Sequence, residues 1–246
     1  MHMNQAVVLV TGANRGLGKS LVAQSLKAGA RRIYAGARDV AQLKDTLALA
    51  PERVIPLQID ITSAPSLAAA AERAGDVSLL INNAGVLASY DVLSSSSEDI
   101  ERDFAVNFQG MLAATKAFLP ALERAGRRER AALVNILSIV SLGSLPGIGG
   151  YAASKAAAFS ATQALRPALS KLNVAVHAVF AGAIDTDMVR DMNMTKTPPD
   201  DVARAVLEAV VAGVEDVFPD PMSQALYSTF RSDPKALERQ FADMAG

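Results

Sequence analysis

Short, β-rich apolar runs alternate along this chain with longer stretches in which apolar residues recur at helical spacing. The runs AVVLV (6–10), RIYAG (32–36), RVIPLQI (53–59), VSLLIN (77–82), ALVNILS (132–138) and NVAVHAVF (173–180) predict strands. Several are apolar on consecutive residues, the pattern of parallel strands covered on both faces. The segments 16–29, 40–50, 64–74, 98–125 and 151–172 predict the helices between them. This repeated strand–helix order predicts an α/β fold, a doubly wound parallel sheet flanked by helices. Its crossovers should be right-handed, with ligands at the carboxyl ends of the strands where strand order reverses.

Local signals refine the ends. Ser95 or Ser97 is placed to cap the helix that begins near 98. Pro167 is expected to kink or shorten the 151–172 helix. Further on, DVF (216–218) reads as a last strand, followed by a turn-rich segment and a terminal amphipathic helix.

At 246 residues the chain suits one α/β domain or two small ones; with no long linker and no internal repeat, a single domain over 1–246 is expected. Half of the residues are hydrophobic and the formal net charge is −1, so there is no electrostatic reason to expect nucleic acid or an anionic membrane as a partner. The basic patch ERAGRRER (123–130) most simply complements the dipole at a helix end. No apolar run reaches the roughly 18 residues of a membrane span, and a soluble cytoplasmic protein is the default. The absence of cysteine excludes disulfides, thiolate nucleophiles and cysteine-ligated zinc. Only two histidines occur, His2 near the start and His177 inside a predicted strand, so a histidine-based triad or metal cluster is not expected. Chemistry must run on Tyr, Lys, Ser, Asn, carboxylates or a bound cofactor.

Two stretches supply candidates. TGANRGLG (11–18) lies between the first strand and the first helix. Its glycines allow a tight turn, close approach of backbone to a ligand, and a helix packed near the strand. The helix N-terminus offers amides and a positive dipole end to a pyrophosphate. The G-x-x-x-G-x-G spacing differs from the G-x-G-x-x-G fingerprint, and an ordinary glycine-rich turn can look alike; the position in the chain favours a nucleotide. In GGYAASKAAAF (149–159), Tyr151 and Lys155 stand four apart, on one helical face. Taken alone, that pair fits an amphipathic helix with two snorkelling side chains.

TGANRGLG, NNAG (82–85), Asn107 in a helix, Ser138 after the fifth strand and Tyr151-x-x-x-Lys155 occur together in one order. Over roughly residues 6–190 the chain thereby resembles the short-chain dehydrogenase/reductase family. The resemblance implies a Rossmann-type single domain, a nicotinamide dinucleotide and reversible carbonyl/alcohol redox chemistry. It makes Tyr151 the general acid in reduction and the base in oxidation. Because a free phenol titrates near 10, it needs the help of a cation, and Lys155 would favour phenolate and hydrogen-bond the nicotinamide ribose. Ser138 would donate to the substrate oxygen, and Asn107 would hold a water against Lys155.

For the cofactor, the same resemblance implies contacts from Gly12, Asn14, Arg15, Gly16, Leu17 and Gly18 in the glycine loop. Asn82, Asn83, Ala84 and Gly85 would pack against the adenosine half, Asp60 and Ile61 would flank the adenine, and Gly182, Ile184 and Thr186 would meet the carboxamide. Asp60 could equally start the next helix. Ala181 stands where the family usually has proline, which frees φ and leaves that loop less preorganised.

Users of NAD place a carboxylate at the end of the second strand. Here that position reads as Ala37, followed by Arg38, with Arg15 as a second cation, and the expectation is NADP(H). A shift of one residue would instead make Asp39 the ribose ligand. The segment 186–200 is expected to be the substrate loop, with Met188, Met192 and Met194 forming either an adaptable lid or plain core. Leu142, Leu145 and Ile148 are expected to line an apolar pocket for a hydrophobic or aryl-bearing ketone or aldehyde, although Arg190 could clamp a carboxylate. The leading reading is an NADPH-dependent carbonyl reductase, a homodimer or homotetramer through its two long helices. The alternative is a dinucleotide-binding sensor or scaffold with little turnover, against which the full set of proton-relay residues speaks.

Overall fold

Every residue of β1 (Val7–Thr11) is buried, because helices cover both faces of the sheet it centres. In the computed structural model, which describes residues 1–244, β1 is joined by β2 (Arg32–Ala37), β3 (Val54–Gln58), β4 (Leu79–Asn82), β5 (Ala131–Ile136), β6 (Val174–Val179) and β7 (Asp216–Val217). All pairings are parallel, in the order β3-β2-β1-β4-β5-β6-β7. The expected doubly wound sheet is therefore present, and each predicted run forms a strand.

Alternate residues of the central strands feed two separate cores. Val8, Val10, Leu79 and Ile81 pack with α1 (Gly16–Lys27) and α7 (Pro199–Ala212) on one face. Leu9, Leu80 and Leu133 pack with α3 (Ala64–Arg73) and α5 (Met111–Arg128) on the other. The chain winds outward one way from β1 to β3, and the other way from β4 to β7. The loops after β1 and β4 therefore diverge, and a cleft opens between them.

The helices depart from expectation in instructive places. The 40–50 segment is a 3-10 turn (Val40–Leu43) followed by one short turn, α2 (Lys44–Leu47). Neither Ser95 nor Ser97 caps α4 (Ser97–Phe104); Ser96 does, accepting from Asp99 N at 3.1 Å. The long helix predicted over 98–125 is interrupted, since Ala105–Gly110 is wound as a π-helix between α4 and α5. The last residue of the π-helix, Gly110, packs against Ile61 with no room for a side chain, since a Cβ there would lie 2.8 Å from Ile61 Cδ1. Single π turns of this kind are often found at functional sites, and this one holds Asn107.

Of the two effects expected of Pro167, shortening is absent: α6 (Gly149–Ser170) continues through it. Pro167 and the residue four before it, Gln163, are both exposed, so water can serve the carbonyl that loses its helical donor. Pro120 sits in α5 in the same way. After β7 the chain forms two helices rather than a turn-rich stretch and one helix: α8 (Pro221–Ser232) and α9 (Pro234–Asp243). Among the described residues, no helix is long and apolar enough to cross a membrane.

Candidate active site

The glycine loop is held from three sides. Thr11 Oγ1 accepts from the N–H groups of Asn83 and Ala84, both at 3.0 Å. Asn83 Nδ2 donates back to Thr11 O at 2.9 Å and Gly12 O at 3.2 Å. Thr46, fully buried, donates from Oγ1 to Ala13 O at 2.9 Å. Gly12 (φ +67°) and Gly16 (φ +51°) occupy the left-handed region. At Gly18 a Cβ would overlap Gly12 O and lie 2.7 Å from Asn83 Nδ2, so only glycine lets α1 start this close to the strand. No side chain caps the first turn of α1, which leaves its amides to an anion in the cleft.

That cleft has a volume of about 1150 Å³, more than the roughly 300–1,000 Å³ of an ordinary small-molecule pocket. Its lining runs from Gly12 through Arg38 and Asp60 to Tyr151, and on to Phe241 in α9. Every cofactor and catalytic residue expected from the sequence borders it except Asn107 and Asn82; Asn82 lies buried at the end of β4 and donates instead to Thr115 Oγ1 and Asn135 Oδ1. A loop with two left-handed glycines, an uncapped helix start and a long cleft fit a dinucleotide together with a substrate.

At the far end of β2, Ala37 and Arg38 line the cleft. Asp39 also lines the cleft; it is the N-cap of the following turn and commits one carboxylate oxygen to Ala41 N at 2.9 Å. Among the described residues, Arg38 has no carboxylate within ion-pair distance, although Asp60 feels its charge. Arg15 lines the same cleft and pairs with Asp187, at 2.9 Å. Asp60 accepts from the hydroxyl and the N–H of Thr62. Those bonds, the hydroxyl first, hold its carboxyl below the usual range. It thus lines the cleft and also shapes the turn into α3.

Tyr151 and Lys155 lie on the buried face of α6, 8% and 5% exposed, with Lys155 Nζ 5.7 Å from the Tyr151 ring centroid. Lys155 Nζ donates to Ile136 O at the end of β5 at 2.9 Å. Burial pushes the Lys155 ammonium down to about 8, against a weaker upward pull from the Asp103 carboxylate. Burial, reinforced by Asp103, raises the Tyr151 phenol, while the Ser138 hydroxyl works the other way.

Asn107 is committed differently from expectation. Its Oδ1 accepts from Val86 N at 2.9 Å, and its Nδ2 donates to Val86 O at 2.9 Å and Ser154 Oγ at 3.0 Å. It clamps the loop after β4 and makes no direct bond to Lys155. The two still face one space: a Cβ built on Gly85 would lie 3.1 Å from Asn107 Oδ1 and 3.6 Å from Lys155 Nζ.

Several contributors went unnoticed in the sequence. Asp103, fully buried in α4, accepts from Ala88 N and Ser89 N at 2.9 and 3.0 Å. The spacing of four that singles out Tyr151 and Lys155 also separates Asp103 from Asn107, and could have found it. Asp220 holds Gly182 N at 2.8 Å; an Asp before a proline at a helix start was its only signal. At the substrate end, Leu145 and Ile148 line the cleft as expected, but Leu142 packs into the core beside it. Met188, Met192 and Met194 all border the cleft, and Ile184 bridges Thr197 at the base of their loop. Met222, Leu226 and Phe241 complete this wall from α8 and α9. Arg190 lies outside the cleft, paired with Asp187.

The sequence profile of short chain dehydrogenases matches residues 6–197. A Dehydrogenase/reductase SDR family protein 7-like of Anopheles gambiae is 29% identical over 248 residues, covering 90% of this chain and 77% of that protein. The chain spans less than half the length of two other curated relatives. A short chain dehydrogenase from Burkholderia cenocepacia J2315, solved in complex with NADP, is 38% identical, with TM-score 0.91 over 98% of this chain and 99% of that one. A second, from Burkholderia phymatum and in complex with NAD, is 24% identical, with TM-score 0.83 over 96% of each chain. That likeness speaks to the fold.

Proposed function

The chain belongs to the short-chain dehydrogenase/reductase family, and on that premise we propose that it is an NADPH-dependent reductase of apolar, aryl-bearing ketones or aldehydes. One observation carries the reading: Ser138, Tyr151 and Lys155 meet where the dinucleotide end of the cleft joins an apolar substrate end. Gly12–Gly18 would hold the pyrophosphate, and Gly182, Ile184 and Thr186 the carboxamide. When bound, the nicotinamide supplies a hydride to the carbonyl carbon.

The protein's own groups do the rest. Ser138 orients the carbonyl by donating a hydrogen bond to its oxygen. Tyr151, kept protonated by burial and by the nearby Asp103 carboxylate, donates its phenolic proton to the same oxygen as charge develops there. Lys155 stabilises the phenolate left behind. Asn107 and Lys155 then return a proton through a water held in front of Gly85. The segment 186–200 covers the substrate, with its methionines adapting to an apolar group.

This arrangement sets a pH dependence. Lys155 carries its charge below about 8 and loses it above, so the reduction rate should be flat near neutrality and fall as pH rises through that value. Stability moves in the opposite direction. The folded pKa of Lys155 lies below its unfolded value of 10.5, so the unfolded chain binds more protons between about 8 and 10.5 and stability from this group rises with pH across that window. Lys155→Met should therefore raise Tm at pH 7 by about 2–6 °C while reduction is lost. Calorimetry and rate–pH profiles check both; a lower Tm together with an unshifted profile would contradict the account.

Gly85→Ala places a methyl between Asn107 and Lys155 at a backbone angle that any residue can adopt. It should slow turnover about 10- to 100-fold, the scale of impaired proton transfer, with Tm nearly unchanged. Turnover within twofold of wild type would remove the relay. Substrate class is tested by comparing kcat/KM for a neutral aryl ketone and a short keto acid. The apolar wall favours the ketone; a clear preference for the acid would overturn that part of the reading.

A further inference from the structure

The loop after β6 lacks the proline that would stiffen it, yet its backbone is not left free. The peptide unit joining Ala181 and Gly182 is gripped on both sides. Its carbonyl, Ala181 O, accepts from Ile139 N at 2.9 Å. Its N–H, on Gly182, donates to Asp220 Oδ2 at 2.8 Å. Asp220 Oδ1 meanwhile accepts from Ser223 N at 2.9 Å and caps α8. The carboxylate is 1% exposed and has no cation within ion-pair distance among the described residues. A buried carboxylate is costly unless it is fully hydrogen-bonded, and here two amides and the positive end of α8 answer it. An N-cap needs one oxygen; the second is spent on the loop. The fit is tight, because a Cβ on Gly182 would lie 2.5 Å from Asp220 Oδ1 and 3.0 Å from Met222 Cβ.

We propose that Asp220 is a positioning residue that fixes the 181–182 peptide, and through it the nicotinamide-binding loop, in place of proline. The inference rests on the reading above that Gly182, Ile184 and Thr186 receive the nicotinamide. It also ties that loop to α8, whose Met222 and Leu226 form part of the substrate wall. The cofactor loop and the substrate wall thus share one anchor.

Two variants separate this role from helix capping. Asp220→Asn and Asp220→Ser both keep an N-cap acceptor for α8. The amide of Asn cannot accept from both N–H groups, and Ser is too short to reach Gly182. In the free protein, amide exchange in 181–186 should quicken at least tenfold in both, while Tm stays close to wild type. The Kd for NADPH should rise about tenfold with a smaller gain in nicotinamide fluorescence, while the Kd for 2′,5′-ADP, which carries only the adenosine half, should not change. Unaltered exchange and NADPH affinity in both variants would overturn the proposal, as would equal weakening of NADPH and 2′,5′-ADP. Wild-type protein that binds 2′,5′-ADP but leaves nicotinamide fluorescence unchanged on adding NADPH would instead sink the reading of the loop, and the proposal with it.

Discussion

Tyr151→Phe lowers the rate of carbonyl reduction at least about a hundredfold and leaves the Kd for NADPH within about twofold. The ring is buried against apolar neighbours such as Ile139 and Ile148, so phenylalanine keeps the packing and removes only the hydroxyl. What is lost is a proton donor at the carbonyl oxygen, a contribution worth about 10²–10⁴ in rate, or about 2.7 kcal/mol of barrier at the lower bound. Ser138 can still polarise the carbonyl through its own hydroxyl, so residual turnover is expected. Initial rates at saturating NADPH, with the Kd measured by fluorescence titration, decide the matter. Turnover within a few-fold of wild type would mean that the proton comes from elsewhere.

Wild-type protein is expected to bind NADPH about 10- to 1000-fold more tightly than NADH, with Arg38 carrying most of the difference. A guanidinium can give a phosphate two charge-assisted hydrogen bonds, each worth on the order of 1–2 kcal/mol when partly exposed. Arg38 is free for that task, whereas Arg15 must first leave Asp187; its pair is exposed, so the exchange costs little. Arg38→Ala should therefore weaken NADPH more than Arg15→Ala does, and neither should much change NADH. Ala37→Asp should shift preference toward NADH, since a carboxylate at the end of β2 accepts from the ribose hydroxyls and repels the phosphate. Asp39 is held in the turn after β2 by one oxygen, on Ala41 N, and Asp39→Ala should leave the cofactor preference unchanged. Equal wild-type affinity for both cofactors would reverse the assignment.

Which parts of this site the sequence could disclose depended on the range of the interaction. Strands buried on both faces appear as unbroken apolar runs, so β1, β4 and β5 were legible from their own residues. The glycine loop and the Tyr151–Lys155 pair were legible because local geometry dictates spacing: left-handed turns at Gly12 and Gly16, one helical face for the pair. The π turn at Ala105–Gly110 was not, since the apolar spacing across it reads as one continuous helix. Pro167 does not shorten α6 because solvent can reach the exposed Gln163 turn, which only the folded surface determines. Asp220 accepts from a backbone N–H 38 residues away, a partner that nothing local records; Asp103 shares a four-residue spacing with Asn107, but its bonds to Ala88 and Ser89 form only when the loop after β4 folds against α4. Arg15 was placed at the right cleft but with a different partner, because Asp187 meets it only when the loop after β6 folds back.

The most direct test is a mass balance: protein, NADPH and a panel of aryl ketones and aldehydes, with cofactor consumption and alcohol formation followed together. The account predicts that NADPH is consumed only when a carbonyl is present, matched mole for mole by alcohol, and that Tyr151→Phe abolishes most of both. Tight NADPH binding with no oxidation across the panel would contradict it and leave a dinucleotide-binding protein whose relay is idle.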